Sequence, residues 1–504
     1  MTQESSGRLA IGSRGAVAAG HPAASYAALS ALDKGGNAVD ACLAAAAVSW
    51  VAMPDMCGPG GDLFALICEP SGQVRALNGA GRSPAEQLPA QGATQRKALT
   101  LVPGLPTAFN LLSRDFGQLT LRENLSPAIA LAESGAPIGA RLVRQLHALP
   151  QGRFRDELSE SWLGAPFKRD AVARWPMLAR SLSRWAQSGT LRETLCESVP
   201  AWRERGARVA LADIDDFECS VEDPLVLELG AWTIYAQPPL SQSVATLRAL
   251  AIAGLDAALH SDGAYREHMF IEAYKMTYDR LKEMGEGSDT AAFCRDMLDP
   301  RSCKAAREEI APQAAVGPEM IRNYGETTQC AATDDEGRTV TLIQSLYRPF
   351  GARILAPATG LIGNDRGASF TDGANAPAPG KRPRHTLSNI IACHADGLVL
   401  AMGTPGAEAQ TQTNLQVLAK LLRDPTQPLG AVLAPRWSFL GGNAVAVEAG
   451  LPDQVVYDLT KRKHSLALRP DRDWLMGSIS LAMFDGATCT AVADDRREAL
   501  ALAY

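Results

Sequence analysis

The sequence of 504 residues has no long uninterrupted apolar segment and no block of like charge. Its best apolar run, residues 41–51, is short and mostly alanine, whereas a membrane-spanning helix needs about 20 apolar residues. Lys and Arg number 49 against 55 Asp and Glu, a net charge of −6 with the two signs interleaved. A chain without a basic face does not favour phosphate backbones or anionic lipid. We therefore expect neither a nucleic-acid partner nor a membrane.

Disulfide signals are missing as well. The ten cysteines lie far apart and form no CxxC pair, and a chain of this size does not need disulfides to close its core. The first fifteen residues carry no apolar segment after a basic start, which is what an export signal would require. The sequence thus predicts reduced thiols and a cytoplasmic location.

Most standard catalytic motifs are also missing. The sequence contains no GxxxxGK[ST] loop, no HExxH helix, no GxSxG elbow and no Cys/His cluster with zinc spacing. We therefore expect no metal and no cofactor.

The N-terminal two thirds alternate helical and strand patterns. Residues 22–50 predict two helices, the first beginning at Pro22 and the second capped by Asn37 with Asp40 in its first turn. Two short strands follow, then mainly helices over 120–210, a strand over 225–235, a buried helix over 244–259 and an amphipathic helix over 265–285. Residues 286–326 lose periodicity and are predicted to form a linker. This mixture favours the α+β class or layered αββα.

The C-terminal third contains two arrangements that bear on chemistry. Residues 327–347 predict a hairpin that opens at Thr327 and turns at 334–337, with Ser345 facing the same side as Thr341. Residues 398–424 predict a strand, a Gly/Pro turn and a helix from about Gln410. A turn of this kind directs backbone N–H groups at an anion.

Taken together, these motifs resemble the gamma-glutamyltransferase (gamma-glutamyltranspeptidase) family of N-terminal nucleophile hydrolases. The resemblance rests on GAVAAGHPAA, GGNAVDA, GPGGDLF, PPLSQS, YKMTYDRL, GETTQ, SLYRPFG, KRPRHT, GTPGA and ADDRR, in that order along nearly the whole chain. It implies a four-layer αββα sandwich built jointly by two fragments of a precursor that cuts itself. The fragments would be 1–326, a large subunit containing the linker, and 327–504, a small subunit that begins with the catalytic threonine.

The resemblance implies that Thr327 is the nucleophile and that the chain is cut between Glu326 and Thr327. A threonine hydroxyl needs a base, and the α-amino group of an N-terminal threonine, with a pKa of about 8, supplies one. One hydroxyl would then serve both maturation and catalysis. The alternative is that Thr327 and its neighbour are a β-branched pair that simply starts a strand.

Three further positions match the family's catalytic groups. Ser345 corresponds to the hydroxyl that orients the freed amine, although a solvent-facing strand serine is the alternative. Gly406 and Ala407 correspond to the glycine pair whose N–H groups form the oxyanion hole. The alternative for this turn is a plain strand-to-helix connection.

The sequence departs from the family at the residues that recognise glutamate. Ala80 stands where transferases acting on glutathione have the arginine that binds the substrate α-carboxylate, and Arg82 is the nearest replacement unless it is only a solvated surface side chain. The amine-binding positions and their neighbours are also changed. The resulting predicted substrate contacts are Arg82, Tyr347, Arg366, Ser369, His385 and Thr386, with Arg348 and Arg384 adding positive charge. The alternative for His385 is a core histidine that lies beneath the site, has its hydrogen bonds satisfied within the protein and does not contact substrate.

Such a site favours a small anionic amide without an amine, or a γ-glutamyl compound bound differently, because arginine pairs with carboxylates. One hypothesis is therefore an amide hydrolase or acyltransferase that works through an acyl-Thr327 ester, including an oxamate-type amidohydrolase. A second is an uncleaved, inactive relative that acts as a binding protein. A third, a glutathione-degrading transferase, needs its recognition residues supplied from elsewhere. We expect the fragments to remain associated, and a homo-oligomer is compatible with the sequence.

Overall fold

The computed structural model describes residues 8–89, 96–259, 263–287, 289–320 and 325–504. Residues 1–7 lie outside the described residues, and they include part of the N-terminal segment from which the absence of an export signal was predicted. Residues 288 and 321–324 of the predicted linker also lie outside them. Within the described residues, no helix is both long and apolar enough to cross a bilayer.

The strands begin and end as follows: β1 (Leu9–Gly12), β2 (Gly15–Ala19), β3 (Asp62–Cys68), β4 (Val74–Gly79), β5 (Ala136–Pro137), β6 (Val172–Ala173), β7 (Ser220–Glu222), β8 (Leu225–Leu229), β9 (Trp232–Ala236), β10 (Glu326–Asp334), β11 (Thr339–Tyr347), β12 (Leu355–Ala356), β13 (Leu361–Ile362), β14 (Asn389–His394), β15 (Val399–Gly403), β16 (Trp437–Gly441), β17 (Ala444–Glu448), β18 (Ser465–Arg469), β19 (Ser480–Phe484), β20 (Cys489–Ala493) and β21 (Leu500–Ala503).

The helices are α1 (Pro22–Asp33), α2 (Ala38–Ala52), α3 (Leu105–Asp115), α4 (Leu121–Ser134), α5 (Ala140–His147), α6 (Arg153–Ser161), α7 (Pro176–Ser188), α8 (Arg192–Glu204), α9 (Leu211–Asp215), α10 (Val244–Leu259), α11 (Gly263–Arg280), α12 (Thr290–Leu298), α13 (Pro300–Glu308), α14 (Gln410–Arg423), α15 (Pro428–Leu433) and α16 (Asp453–Lys461).

Two seven-stranded sheets form the centre of the molecule. Sheet 1 has the order β1-β20-β19-β15-β14-β9-β8, and sheet 2 has the order β21-β2-β10-β11-β3-β4-β7. Strands β10 and β2 face β19 and β20 across the interface between the sheets. Helices α1 and α2 pack on the outer face of sheet 2, and α10 and α14 cover sheet 1. The arrangement is the predicted four-layer αββα sandwich of the α+β class.

Strand alternation explains how one sheet serves two cores. In β2, Ala16 and Ala18 belong to the small core between the sheets, whereas Val17 and Ala19 belong to the core under the helices. Successive side chains of a strand point to opposite faces, so small residues between the sheets allow close approach. Both sheets contain strands from either side of the bond between residues 326 and 327.

The N-terminal helices begin where the sequence predicts. The Asn37 side chain accepts hydrogen bonds from the N–H groups of Val39 and Asp40, and the Asp40 carboxylate accepts one from the Asn37 N–H at 3.0 Å. This reciprocal capping box satisfies N–H groups that would otherwise lack partners.

Three local predictions are corrected. Residues 225–235 form a hairpin, because Gly230 adopts φ +64° and turns the chain between β8 and β9. The predicted linker over 286–326 contains α12 and α13, which bury Cys294, Met297 and Cys303 in the core above sheet 1. Helix α11 is buried on most of its faces instead of amphipathic.

Candidate active site

Thr327 lies at an irregularity near the start of β10. Glu326 pairs with Tyr347 and Thr328 pairs with Gln344, so one residue of β10 faces two of β11. Such a bulge redirects side chains at the end of a ladder. The Gln329 side chain points toward Gly403 of sheet 1, and alternation places Thr327 on the same face. Thr327 is 2% exposed in this uncleaved chain.

Ser345 contacts the peptide bond that precedes Thr327. Its Oγ donates a hydrogen bond to the Glu326 carbonyl oxygen at 2.5 Å and accepts one from the Tyr347 N–H at 2.7 Å. Ser345 is 1% exposed, so the alternative of a solvent-facing serine is wrong. This carbonyl belongs to the peptide bond that is predicted to be cut. Orientation of the freed amine by Ser345 remains a prediction.

The Thr327 hydroxyl has a contact that the sequence did not indicate. Gln410 Nε2 lies 3.5 Å from Thr327 Oγ1, and Gln410 Oε1 accepts a hydrogen bond from the Ser388 N–H at 3.0 Å. Because the Ser388 backbone fixes the carbonyl end of this amide, its NH₂ end faces the threonine. Gln410 is the first residue of α14 and therefore follows directly from the turn that carries Gly406 and Ala407.

That turn has an unusual backbone. Gly406 adopts φ +137° and Ala407 adopts φ +50°, a left-handed conformation that costs a non-glycine residue about 1–2 kcal/mol. Gln242 Nε2 donates to the Ala407 carbonyl at 3.1 Å and helps to hold it. A Cβ built on Gly325 would lie 2.9 Å from the Ala407 Cβ, so the segment before Thr327 runs against this turn. The oxyanion-hole role of the two N–H groups remains a prediction.

Five of the six predicted substrate contacts, Arg366 among them, belong to one network of side chains. Arg366 Nη1 lies 3.2 Å from Thr386 Oγ1 and 3.5 Å from Ser369 Oγ, and the Arg366 guanidinium stacks 4.4 Å from the centre of the Tyr347 ring. Asp62 Oδ2 lies 3.0 Å from Arg366 Nε and 3.1 Å from His385 Nε2. This Asp62–Arg366 network is buried, and Gln242 joins it to the turn by donating to the Thr386 carbonyl at 3.0 Å.

The charges within this network are largely compensated. Burial, reinforced by the charge of Arg366, lowers the pKa of His385 to about 4, so this histidine is neutral at pH 7. Burial would raise the pKa of Asp62, but the His385 hydrogen bond and the nearby positive charge outweigh burial and lower that pKa. His385 Nδ1 also accepts a hydrogen bond from the Leu387 N–H at 3.3 Å. The geometry is that of a satisfied core histidine and not of a side chain presented to substrate.

Three of the four arginines expected as free cations around the nucleophile are engaged by other groups of the protein. Arg366 pairs with Asp62, Arg348 pairs with Asp365 at 2.7 Å, and Arg384 Nη1 donates to the Leu281 carbonyl. Arg82 is half-buried and its guanidinium makes no hydrogen bond or ion pair within the described ranges. Buried arginines recruit carboxylates and carbonyls because an uncompensated charge is costly, which explains the correction.

A different cationic cluster borders the Glu326 side chain. Helix α5 presents Arg141, Arg144 and Gln145 on one face, and Arg497 follows β20. Arg497 Nη1 lies 3.5 Å from Glu326 Oε2, and Gln145 Nε2 lies 3.4 Å from Glu326 Oε1. Burial raises the pKa of Glu326, although Arg497 and Arg141 oppose the shift. This cluster was not predicted from the sequence, in which ADDRR near the C-terminus is its only local signal.

One group of metal-ligand types occurs in the described part of the chain, formed by His268, Glu272 and His464. His268 Nδ1 and His464 Nε2 already bond each other at 2.9 Å, and Lys275 Nζ lies 2.7 Å from Glu272 Oε1. A lysine on the carboxylate competes with a cation, so these contacts account for the group without a metal.

The comparisons with known proteins agree with this architecture. The crystal structure of cephalosporin acylase from Bacillus halodurans matches with a TM-score of 0.89 and 27% identity, covering 100% of this chain and 98% of that chain. The fold and this match define an enzyme of the N-terminal nucleophile hydrolase class.

The family follows from the sequence comparisons. The family model described as gamma-glutamyltranspeptidase matches residues 24–504, and the chain belongs to that family. It is 29% identical to the glutathione hydrolase-like YwrD proenzyme of Bacillus subtilis (strain 168), over 94% of this chain and 95% of that protein. It is also 29% identical to the oxamate amidohydrolase proenzyme of Klebsiella pneumoniae subsp. pneumoniae, over 85% of each. The chain is thus an amidohydrolase or acylase of the gamma-glutamyltranspeptidase family.

Proposed function

We propose that the chain cuts itself between Glu326 and Thr327 and then acts as an N-terminal threonine amidohydrolase on a small anionic amide. The observation that carries this proposal is the 2.5 Å hydrogen bond from Ser345 to the Glu326 carbonyl oxygen, which belongs to the peptide bond that precedes Thr327. A donor on the oxygen that becomes negative lowers the barrier to attack at its carbon.

In maturation, Thr327 Oγ attacks the Glu326 carbonyl carbon, the peptide C–N bond breaks, and water hydrolyses the resulting ester. The products are the carboxylate of Glu326 and the free amine of Thr327. In catalysis the amine takes the hydroxyl proton while Oγ attacks the substrate amide, the substrate amine leaves with a proton, and water resolves the acyl-Thr327 ester. Gly406 and Ala407 would donate their N–H groups to the oxyanion.

The two fragments would stay together after cleavage. Strands β10 and β11 of the later fragment lie between β2 and β3 of the earlier one in sheet 2, so separation would expose both cores. Several relatives are named proenzymes, which agrees with processing of this kind.

Oxamate is a second candidate substrate, because one relative that is 29% identical to this chain is named an oxamate amidohydrolase. The test is turnover of a γ-glutamyl anilide and of oxamate by the wild type and by Thr327→Ala, with Thr327→Ser as the variant that keeps a nucleophile. We expect wild type and Thr327→Ser to release product and Thr327→Ala to release none. Equal turnover by Thr327→Ala would refute the assignment, and a wild type that stays whole and inactive would favour the binding-protein hypothesis.

A further inference from the structure

The Glu326 side chain occupies a polar cavity of its own beside the nucleophile. This cavity is lined by Arg141, Arg144, Gln145 and Arg497, and an adjoining cavity shares Arg141 and Arg497 and is lined by Thr327. Glu326 is 4% exposed. The uncleaved chain therefore holds a carboxylate in a built site next to the hydroxyl proposed to react.

The charges around this cavity balance only while Glu326 is in place. Arg141, Arg144 and Arg497 face the three carboxylates of Glu326, Asp55 and Glu498. Asp55 is committed to Arg141, which binds it through both terminal nitrogens at 2.5 and 3.0 Å. Glu498 is also nearest to Arg141, at 3.8 Å from its Nε.

Arg497 would lose its carboxylate when Glu326 departs. Its other contacts are the Trp474 ring at 5.4 Å and the Trp474 carbonyl oxygen at 3.2 Å. Within the described residues, Glu326 is the only carboxylate within 4 Å of the Arg497 guanidinium. A largely buried guanidinium without a counter-charge strongly favours a new anion.

We propose that Arg497, Arg144 and Gln145 form a carboxylate subsite that Glu326 fills before cleavage and the acyl group of the substrate fills afterwards. This inference rests on the proposed function and names its substrate class. The Asp62–Arg366 network suits this role less, because Asp62 already neutralises Arg366.

The covalent structure of Glu326 sets the length of that acyl group. Three carbons separate its carbonyl carbon, which Thr327 attacks, from its side-chain carboxylate. Glutaryl and γ-glutamyl amides have the same separation, whereas oxamate joins its carboxylate directly to the carbonyl. The subsite therefore selects monoamides of five-carbon dicarboxylic acids over oxamate.

Calorimetric titration with glutarate tests the subsite without any turnover. In Thr327→Ala the chain stays whole and Glu326 blocks the cavity, so we expect no glutarate to bind. In the double variant Glu326→Ala/Thr327→Ala the cavity is open, and we expect glutarate to bind. Adding Arg497→Gln to the double variant should weaken binding roughly tenfold or more, because a charge-assisted hydrogen bond is lost. The control is Arg280→Gln, which removes an arginine stacked 5.6 Å from Phe293 and ion-paired elsewhere.

Three outcomes would overturn the subsite. They are equal glutarate binding by the single and double alanine variants, equal effects of Arg497→Gln and Arg280→Gln, and no binding to the double variant. Turnover of glutaryl anilide and of its uncharged carboxamide analogue by the wild type separates the two proposals. Turnover without preference for the carboxylate would leave the proposed function standing and refute the subsite. Glutarate binding as expected, together with a wild type that is neither cleaved nor active, would leave the subsite standing and refute the proposed function.

Discussion

Replacement of Ser345 by alanine is the sharpest perturbation of self-cleavage that the structure offers. The Ser345 hydroxyl is 2.5 Å from the Glu326 carbonyl oxygen, which becomes an oxyanion when Thr327 attacks. Removal of one such donor typically slows a reaction about 10²–10³-fold, or ~2.7–4 kcal/mol. We expect Ser345→Ala to process its chain slower by about this factor.

The substitution also has a structural cost that must be measured separately. The Tyr347 N–H loses its acceptor, which lies at 2.7 Å, and an unpaired buried donor costs about 1–3 kcal/mol of stability. Thr341→Ala is the matched control, because Thr341 lies on the same face of β11 and accepts a hydrogen bond from Gln329 Nε2 at 2.9 Å. It removes a buried hydroxyl without touching the Glu326 carbonyl.

The assay is the appearance of the two fragments over time on a denaturing gel, with thermal unfolding of each chain measured in parallel. Ser345→Ala should accumulate as a whole, folded chain, while Thr341→Ala should process at nearly the wild-type rate. Fragments formed by Ser345→Ala within a fewfold of the wild-type rate would show that the hydroxyl does not stabilise the oxyanion.

Three further predictions concern the neighbouring contacts. Gly325→Ala should slow processing roughly tenfold or more because its Cβ would press on Ala407. Adding Ala407→Gly to this variant should restore the rate of processing. A Gly325→Ala chain that is processed at the wild-type rate would contradict the close approach of the two residues. Asp62→Asn should lower the free energy of unfolding by about 3–5 kcal/mol, because it leaves Arg366 buried without a counter-charge; an unchanged melting temperature would contradict that role. The pKa of His385 is near 6.5 in the unfolded chain and about 4 in the folded one. Because the unfolded chain takes up a proton first as the pH falls, the free energy of unfolding should decrease by about 3 kcal/mol between pH 6.5 and pH 4. The melting temperature of His385→Asn should fall less steeply than that of the wild type over this pH range. Parallel plots of melting temperature against pH for the two chains would contradict the lowered pKa of His385.

Local signals predicted the parts of the fold and site that depend on neighbouring residues. The caps of α1 and α2, the hairpin of β10 and β11 and the turn before α14 each depend on residues close together in sequence. Thr327 and Ser345 meet because that hairpin pairs them. The local pattern predicted the hairpin, whereas the pairing of these two hydroxyl residues was expected from the family resemblance.

Contacts between distant segments were not predictable in the same way. Arg141 and Arg497 come together because α5 and the chain after β20 both lie against Glu326, and no local pattern encodes that meeting. Two of the cations expected around Thr327, Arg366 and Arg348, are compensated by Asp62 and Asp365, and no local pattern in the sequence predicts these pairs. Helices α12 and α13 were missed because each has nine residues, and helices this short depend on tertiary packing more than on their own propensity.

The central claim is that Thr327 becomes the first residue of a fragment through its own hydroxyl. Intact-mass spectrometry of the purified wild type, Thr327→Ser and Thr327→Ala chains tests it most directly. The account predicts two fragments for the wild type, one ending at Glu326 and one beginning at Thr327, a slower but identical cut in Thr327→Ser, and one whole chain for Thr327→Ala. A whole wild-type chain, a cut at another bond, or cleavage of Thr327→Ala would contradict it.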